Sequence, residues 1–128
     1  MNILDENISE SQRAELRSKR VAVRKIGHDI VRKGIKDDQI IPLLHHLDRP
    51  TFFTLDVDFC DFRLCHDAYC RVHLDVENHV AADYIRRVLR HPELNTKAKR
   101  MGAVIRALPT ELVVWRKNQR QETHLSWT

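Results

Sequence analysis

The sequence predicts an α/β fold in three layers, α/β/α, around a mostly parallel central sheet. Short apolar runs alternate along the chain with stretches whose apolar residues recur at helical spacing. That order of elements is typical of α/β domains with a parallel sheet. The chain has 128 residues, of which 42% are apolar and 31% are charged. This composition suits a single folded domain that covers residues 1–128.

The first elements are short. A minimal strand is expected to end at Asp5, and the capping-box spacing of Ser9 and Gln12 predicts a helix that begins near Ser9. The β-branched residues 21–23 predict a second strand. Two glycines then bracket Asp29, which we expect in a turn, either exposed to solvent or at the rim of a site.

The best-defined helix follows. Its apolar residues recur at i, i+3, i+4 and i+7, and Asp37 or Asp38 is predicted to cap it. Residues 51–55 then predict a β-branched and aromatic strand that leads to Asp56 and Asp58. The apolar stripe of the helix consists of Ile40, Leu43, Leu44 and Leu47.

In the second half, residues 71–76 alternate polar and apolar side chains, which predicts a half-exposed strand. A helix is expected next, ending before Pro92, and another that starts at Asn95 or Thr96 and is closed by Pro109. Residues 112–115 predict a strong strand, and residues 123–127 a short edge strand.

The acidic residues at these element ends predict a metal site. Carboxyl ends of parallel strands face the cleft where ligands bind in α/β sheets. Crowded carboxylates repel one another unless a cation lies among them, and Mg²⁺ prefers such oxygen ligands. The predicted set is Asp5, Asp38, Asp56 and Asp58, with Glu6 and Asp37 as further candidates. The alternative is that these residues are only helix caps and turn residues.

Three ordered motifs resemble a known family. They are Leu4-Asp5-Glu6-Asn7-Ile8, then Gly34-x-x-Asp37-Asp38-x-Ile40-Ile41, then Thr54-x-Asp56-x-Asp58-Phe59. Together they are similar to the signature of the PIN-like domain family, and in particular to small bacterial proteins with an "LDEN" opening and "TxDxDF" in mid-chain. The likeness covers about the first half of the chain.

The resemblance implies a PIN-like fold and a Mg²⁺- or Mn²⁺-dependent endoribonuclease that hydrolyses single-stranded RNA. Many such proteins are toxins of toxin–antitoxin pairs of the VapC kind, so a small antitoxin and a homodimer are implied partners. Asp5 would be the acid that ends the first strand and Asp38 the acid at the helix start, with Asp56 and Asp58 completing the set. The alternative is a catalytically inactive PIN-like module that binds RNA or a protein.

Basic residues are expected to hold the RNA backbone. The 22 Lys and Arg outnumber the 18 Asp and Glu, and a basic surface around an acidic cleft suits a polyanion. The residues predicted to bind substrate are Asn7, Arg32, Lys33 and Lys36.

The cysteines and the apolar runs bear on cellular location. Three cysteines without a predicted signal peptide fit the reducing cytoplasm, and no apolar run is long enough to span a membrane. We interpret Cys60, Cys65 and Cys70 as small buried residues, with a zinc site as the alternative.

Overall fold

The structure is a computed structural model that describes residues 1–31, 33–61, 63 and 65–128, and of residue 37 only the backbone. Its strands are β1 Asn2–Leu4, β2 Arg24–Lys25, β3 Thr51–Thr54, β4 Cys70–Leu74, β5 Ala103–Ala107, β6 Leu112–Arg116 and β7 Thr123–Leu125. Its α-helices are α1 Glu10–Ser18, α2 Asp37–His46, α3 Ala81–Arg90 and α4 Lys97–Arg100. A 3-10 turn, Val57–Phe59, follows β3, and another, Asn78–Val80, precedes α3.

The strands form one mixed sheet in the order β2-β1-β3-β4-β5-β6-β7. The first five strands in that order run parallel, and β6 and β7 are added antiparallel at one side. The order 2-1-3-4-5 is that of doubly wound sheets, which carry their switch point between β1 and β3. The carboxyl ends of those two strands are therefore where this architecture collects ligands.

The two faces of the sheet are covered by different helices. On one face, Leu16 of α1 and Ile85 of α3 pack with alternate residues of the strands, including Leu4 and Phe53. On the other face, Ile40 and Leu44 of α2 pack against Ile3, Phe52 and Phe59. Because neighbouring residues of a strand point to opposite faces, each short strand contributes to both cores.

The predicted α/β class with a mostly parallel sheet is confirmed, with helices on both faces as a three-layer arrangement requires. The helix with the stripe at Ile40 and Leu44 forms as predicted, with Pro42 inside it. The edge strand predicted within residues 123–127 is β7. None of the helices in the described part of the chain is long and apolar enough to cross a membrane.

Four local predictions are wrong. The second strand comprises Arg24–Lys25 and follows residues 21–23, which precede it without pairing. The N-cap of α2 is Lys36, so Asp38 lies in the first turn and does not cap the helix. Strand β4 is buried on both faces, because the chain after β3 covers the side that its polar residues occupy.

The largest error is the helix predicted from residue 95 or 96 to Pro109. The helical part is only α4, Lys97–Arg100, and the chain then turns at Gly102, whose φ is +85°. Residues 103–107 form β5, fully inside the sheet between β4 and β6. A buried strand is apolar on both faces, so its sequence also satisfies the i, i+4 spacing of a helix.

Candidate functional site

The residues that follow β1 and β3 lie next to each other at the switch point of the sheet. Leu4 pairs with Phe53, and the amide of Asp5 donates to the carbonyl of Phe53 at 2.9 Å. The parallel pairing therefore carries Asp5 into register with Thr54, the last residue of β3. This is the place where the sequence predicts an acidic cleft.

The hydroxyl of Thr54 is the centre of this site. Its Oγ1 donates to Oδ2 of Asp5 at 2.7 Å and accepts the amide N–H of Asp56 at 3.0 Å. The side-chain amide of Asn7 donates to the same Oγ1 at 3.4 Å. Thr54 is completely buried and Asp5 is 7% exposed. One buried hydroxyl thus links the two predicted metal-binding acids that end β1 and β3.

Asp5 and Asn7 also bond to the loops around them. Oδ1 of Asp5 accepts the amide of Glu6 at 2.8 Å. Oδ1 of Asn7 accepts the amide of Leu55 at 3.3 Å, so Asn7 joins the loop after β1 to the chain after β3. The predicted role of Asn7 in binding substrate stays a prediction, and the structure adds that this exposed residue braces the site.

Asp56 and Asp58 occupy the 3-10 turn after β3. Oδ1 of Asp56 accepts the amide of Asp58 at 2.9 Å, so Asp56 is the N-cap of this turn. Asp56 is half-buried and Asp58 is exposed. Of the four predicted acids, the structure therefore groups Asp5 with Asp56 around Thr54 and leaves Asp58 on the outside of the turn.

Glu6 connects three loops. Its Oε1 accepts the amide of Gly34 at 2.9 Å, in the chain that enters α2. Gly27 lies so close that a Cβ there would be 3.0 Å from Cδ of Glu6, and its φ is +83°. The carboxylate of Glu6 therefore fixes the loops after β1 and β2 and the approach to α2.

Asp38 lies in a separate cleft of about 640 Å³ at the start of α2. The side chain of Asp38 is exposed, and this cleft is also lined by Lys33, Gly34 and Lys36. Lys33 lines in addition a cleft of about 350 Å³ beside Glu6. Two of the predicted substrate-binding residues, Lys33 and Lys36, thus lie beside the predicted helix acid.

Two predicted positions fall outside what the structure describes, namely residue 32 and the side chain of Asp37. Among the described residues, no three or more of the side chains of His, Cys, Asp and Glu are grouped so that they could hold a metal ion. At the switch point Asp5 and Asp56 are linked through the hydroxyl of Thr54, which bonds to the carboxylate of Asp5 and to the backbone of Asp56.

Basic residues continue the polar row beyond Thr54. His73 of β4 is in register with Thr54 on one side and with Arg106 of β5 on the other. His73 is buried, and this burial lowers the pKa of its imidazole. Arg106 donates to Asp75 at 2.6 Å. The same edge of the sheet therefore carries acids at β1 and β3, and a buried imidazole and the Arg106–Asp75 ion pair at β4 and β5.

Sequence reasoning missed His73 and Arg106, together with their buried neighbour Arg71. The signal was the alternation of polar residues in residues 71–76, which we interpreted as a solvent-exposed face. Comparison of the chain with family models, with curated proteins and with solved structures finds no match. The resemblance to the PIN-like family therefore stays a prediction that depends on its three motifs.

Proposed function

We propose that this chain is a Mg²⁺- or Mn²⁺-dependent endoribonuclease that cleaves single-stranded RNA at the switch point between β1 and β3. The observation that carries the proposal is the shared hydroxyl of Thr54, which holds Asp5 at 2.7 Å and the backbone of Asp56 at 3.0 Å. Carboxylates that follow adjacent parallel strands are where α/β sheets bind ligands. The PIN-like motifs give the same residues the same role.

The side chains at the switch point fit a hard divalent cation. Mg²⁺ usually takes one or two protein carboxylates and keeps several waters, so Asp5 and Asp56 are sufficient as direct ligands. Each carboxylate oxygen has two lone pairs. An oxygen that accepts one hydrogen bond, as Oδ1 of Asp56 does from the amide of Asp58, can therefore also bind a cation. When bound, the ion would supply Lewis acidity to the phosphodiester and activate a water for hydrolysis.

The chain itself supplies rigidity and positive charge. Thr54 fixes the orientation of Asp5, since a buried hydroxyl bonded to a carboxylate allows few other rotamers. Lys33 and Lys36 are exposed at the adjoining clefts, where they attract the phosphates on either side of the cut. Asp38 lines the same cleft as these lysines and would act there as the helix-start acid that the PIN-like motifs imply. The net charge of +4 favours the same polyanion.

Cleavage of a mixed single-stranded RNA is the direct test. We expect cleavage with Mn²⁺, none with EDTA, and a loss of at least about a hundredfold in Asp5→Asn and Asp56→Asn, as for removal of an electrostatic catalytic group. Asp48→Asn is the matched control, because the Asp48 side chain is 82% exposed and forms, within the described part of the chain, a single ion pair of 3.8 Å with the neighbouring Arg49. Equal activity in all four proteins would overturn the assignment of the site.

A second candidate function is an inactive PIN-like module that binds RNA or a protein. It is favoured by the bonds that already engage the acids, since Asp56 caps a turn and Glu6 holds Gly34. This module would bind single-stranded RNA without cutting it, and Mn²⁺ would leave its melting temperature unchanged. A ligand stabilises only the state that it binds, so a Mn²⁺-dependent thermal shift that Asp5→Asn abolishes favours the nuclease.

The biological setting follows from the same resemblance. We propose that the chain acts in the cytoplasm as the toxin of a toxin–antitoxin pair, silenced by a small antitoxin and paired with a second copy of itself as a homodimer. Growth arrest on expression of the wild-type chain, and its absence with Asp5→Asn, is the expected result in cells. Growth arrest by both proteins would separate toxicity from the acidic site.

A further inference from the structure

Arg71 of β4 carries a buried charge that the rest of the described chain leaves without a hydrogen-bonding partner. Its side chain is completely buried, and none of its three guanidinium nitrogens bonds to a described residue. Burial lowers the pKa of Arg71, because a cation is less stable away from water. Buried charges in folded proteins are almost always paired, so this arginine requires a counter-group.

The groups around Arg71 do not provide that counter-group. The ring of Tyr69 lies 5.4 Å from the guanidinium carbon and offers only its π face. Asp61 is near enough to interact electrostatically, but its two oxygens accept hydrogen bonds from Nε and Nη2 of Arg63 at 2.8 to 3.2 Å, and none from Arg71. Burial raises the pKa of Cys65, so that thiol stays protonated and neutral. These three groups therefore leave the charge of Arg71 without a hydrogen-bonded counter-group.

Other polar side chains lie on the same face of the sheet as Arg71. His73 is two residues along β4 from Arg71, so the two side chains share a face. His73 is buried, and its Nδ1 has no hydrogen-bonding partner among the described residues. Arg106 is the register partner of His73 on β5. Cys60 and Cys65 lie near enough to Arg71 to interact with it electrostatically and are only partly buried, so a ligand would enter from their side.

We propose that Arg71 binds a small oxyanion of the phosphate class on this face, with His73 as the adjacent hydrogen-bonding group. The guanidinium fork matches the tetrahedral oxyanion, which accepts two parallel bonds. A strand of RNA is excluded from the site, because Arg71 has no exposed surface on which a polymer backbone could lie. The site is distinct from the acidic pair at the switch point and holds whether or not the chain cleaves RNA.

Thermal unfolding with added anions tests this site. Inorganic phosphate at ten times its Kd is expected to raise the melting temperature of the wild-type chain by about 4 °C, relative to chloride at equal ionic strength. A parallel titration with AMP shows whether the site takes free phosphate alone or also the terminal phosphate of a nucleotide. Arg71→Met is expected to abolish the shift, and without phosphate to melt no lower than the wild type, since it removes an unpaired buried charge.

Arg63→Met is the matched control, because it removes an exposed arginine from the same region. It is expected to keep the phosphate shift. The proposal is overturned if neither anion shifts the wild type, or if Arg71→Met keeps the full shift. Should Arg71→Met fail to fold, the Kd of phosphate is instead compared between the wild type and Arg71→Lys by calorimetric titration. A Kd at least about fivefold weaker in the lysine variant is expected, because lysine lacks the planar fork, and an equal Kd overturns the proposal.

Discussion

Replacing Thr54 by valine isolates the hydroxyl on which the candidate site depends. The two side chains have nearly the same shape, so the change keeps the volume of a fully buried position and removes one oxygen. That oxygen donates to Asp5 and accepts from the amide of Asp56. Both groups lose a partner in the variant, and the carboxylate of Asp5 is too buried for water to replace the lost bond freely.

The cost follows from these bonds. A hydrogen bond to a charged group contributes about 1.5–3 kcal/mol, and a buried N–H without a partner costs about 1–3 kcal/mol. Asp56 is half-buried, so water recovers part of the second amount. The third bond, from Asn7, is long at 3.4 Å and adds little. We expect Thr54→Val to lower the free energy of unfolding by about 2–3 kcal/mol in total.

Equilibrium unfolding in urea measures this change, with an unchanged m-value as the sign that the unfolded state is the same. Thr54→Ser is the control, because it keeps the hydroxyl and loses one buried methyl group, at a cost of about 1 kcal/mol. If Thr54→Val unfolds within about 0.5 kcal/mol of the wild type, the Thr54 hydroxyl does not organise the site. A serine variant that is less stable than the valine variant would contradict the same reasoning.

Two further predictions concern the loops around the site. Asp29 accepts two bonds from Arg13, at 2.7 and 3.0 Å, so Asp29→Asn is expected to cost about 2–4 kcal/mol at neutral pH. The bonds from Arg13 lower the pKa of Asp29. The contribution of Asp29 to the free energy of unfolding is therefore complete above the unfolded-state pKa of about 3.9, and it is lost progressively as the pH falls below that value. Urea titrations at about pH 6 and about pH 3 measure this loss. The free energy of unfolding is expected to fall less between the two pH values in Asp29→Asn than in the wild type. Gly27→Ala places a Cβ 3.0 Å from Glu6 at a φ of +83°. We expect it to destabilise the fold more than Gly34→Ala, where φ is +86° but nothing lies within 4 Å of the added Cβ. Equal falls in melting temperature for the two variants would show that the contact with Glu6 is unimportant.

The sequence predicted those elements whose pattern has a single interpretation. The stripe at Ile40 and Leu44 has helical spacing and is flanked by polar residues, Gln39 before it and His45 after it, which favours a helix. The run in β5 is apolar at consecutive positions, and its burial depends on neighbours that the local sequence does not specify. Gly102, where φ is +85°, is the residue at which the chain turns from α4 into β5, a conformation that glycine adopts without steric cost.

The candidate site was predictable to a similar extent. Asp5 and Asp56 follow apolar runs, and the parallel order of strands brings strand ends together, so their proximity could be inferred. The role of Thr54 depends on the register between β1 and β3. A shift of one residue in that register would turn the side chain of Thr54 to the other face of the sheet. The burial of Arg71 depends on what covers its face of β4, and that cover comes from a segment without periodicity.

The ends of the sheet set limits on how copies of this chain associate. β2 contains only Arg24 and Lys25, and β7 at the opposite edge contains only Thr123–Leu125. Very short strands and basic side chains are the usual means by which proteins prevent another chain from extending a sheet. A homodimer of the kind that the family resemblance implies would thus be held by contacts between side chains on the helical faces. We expect no backbone hydrogen bonds between strands of two copies, and the same short edges protect the folded chain from fibrous aggregation.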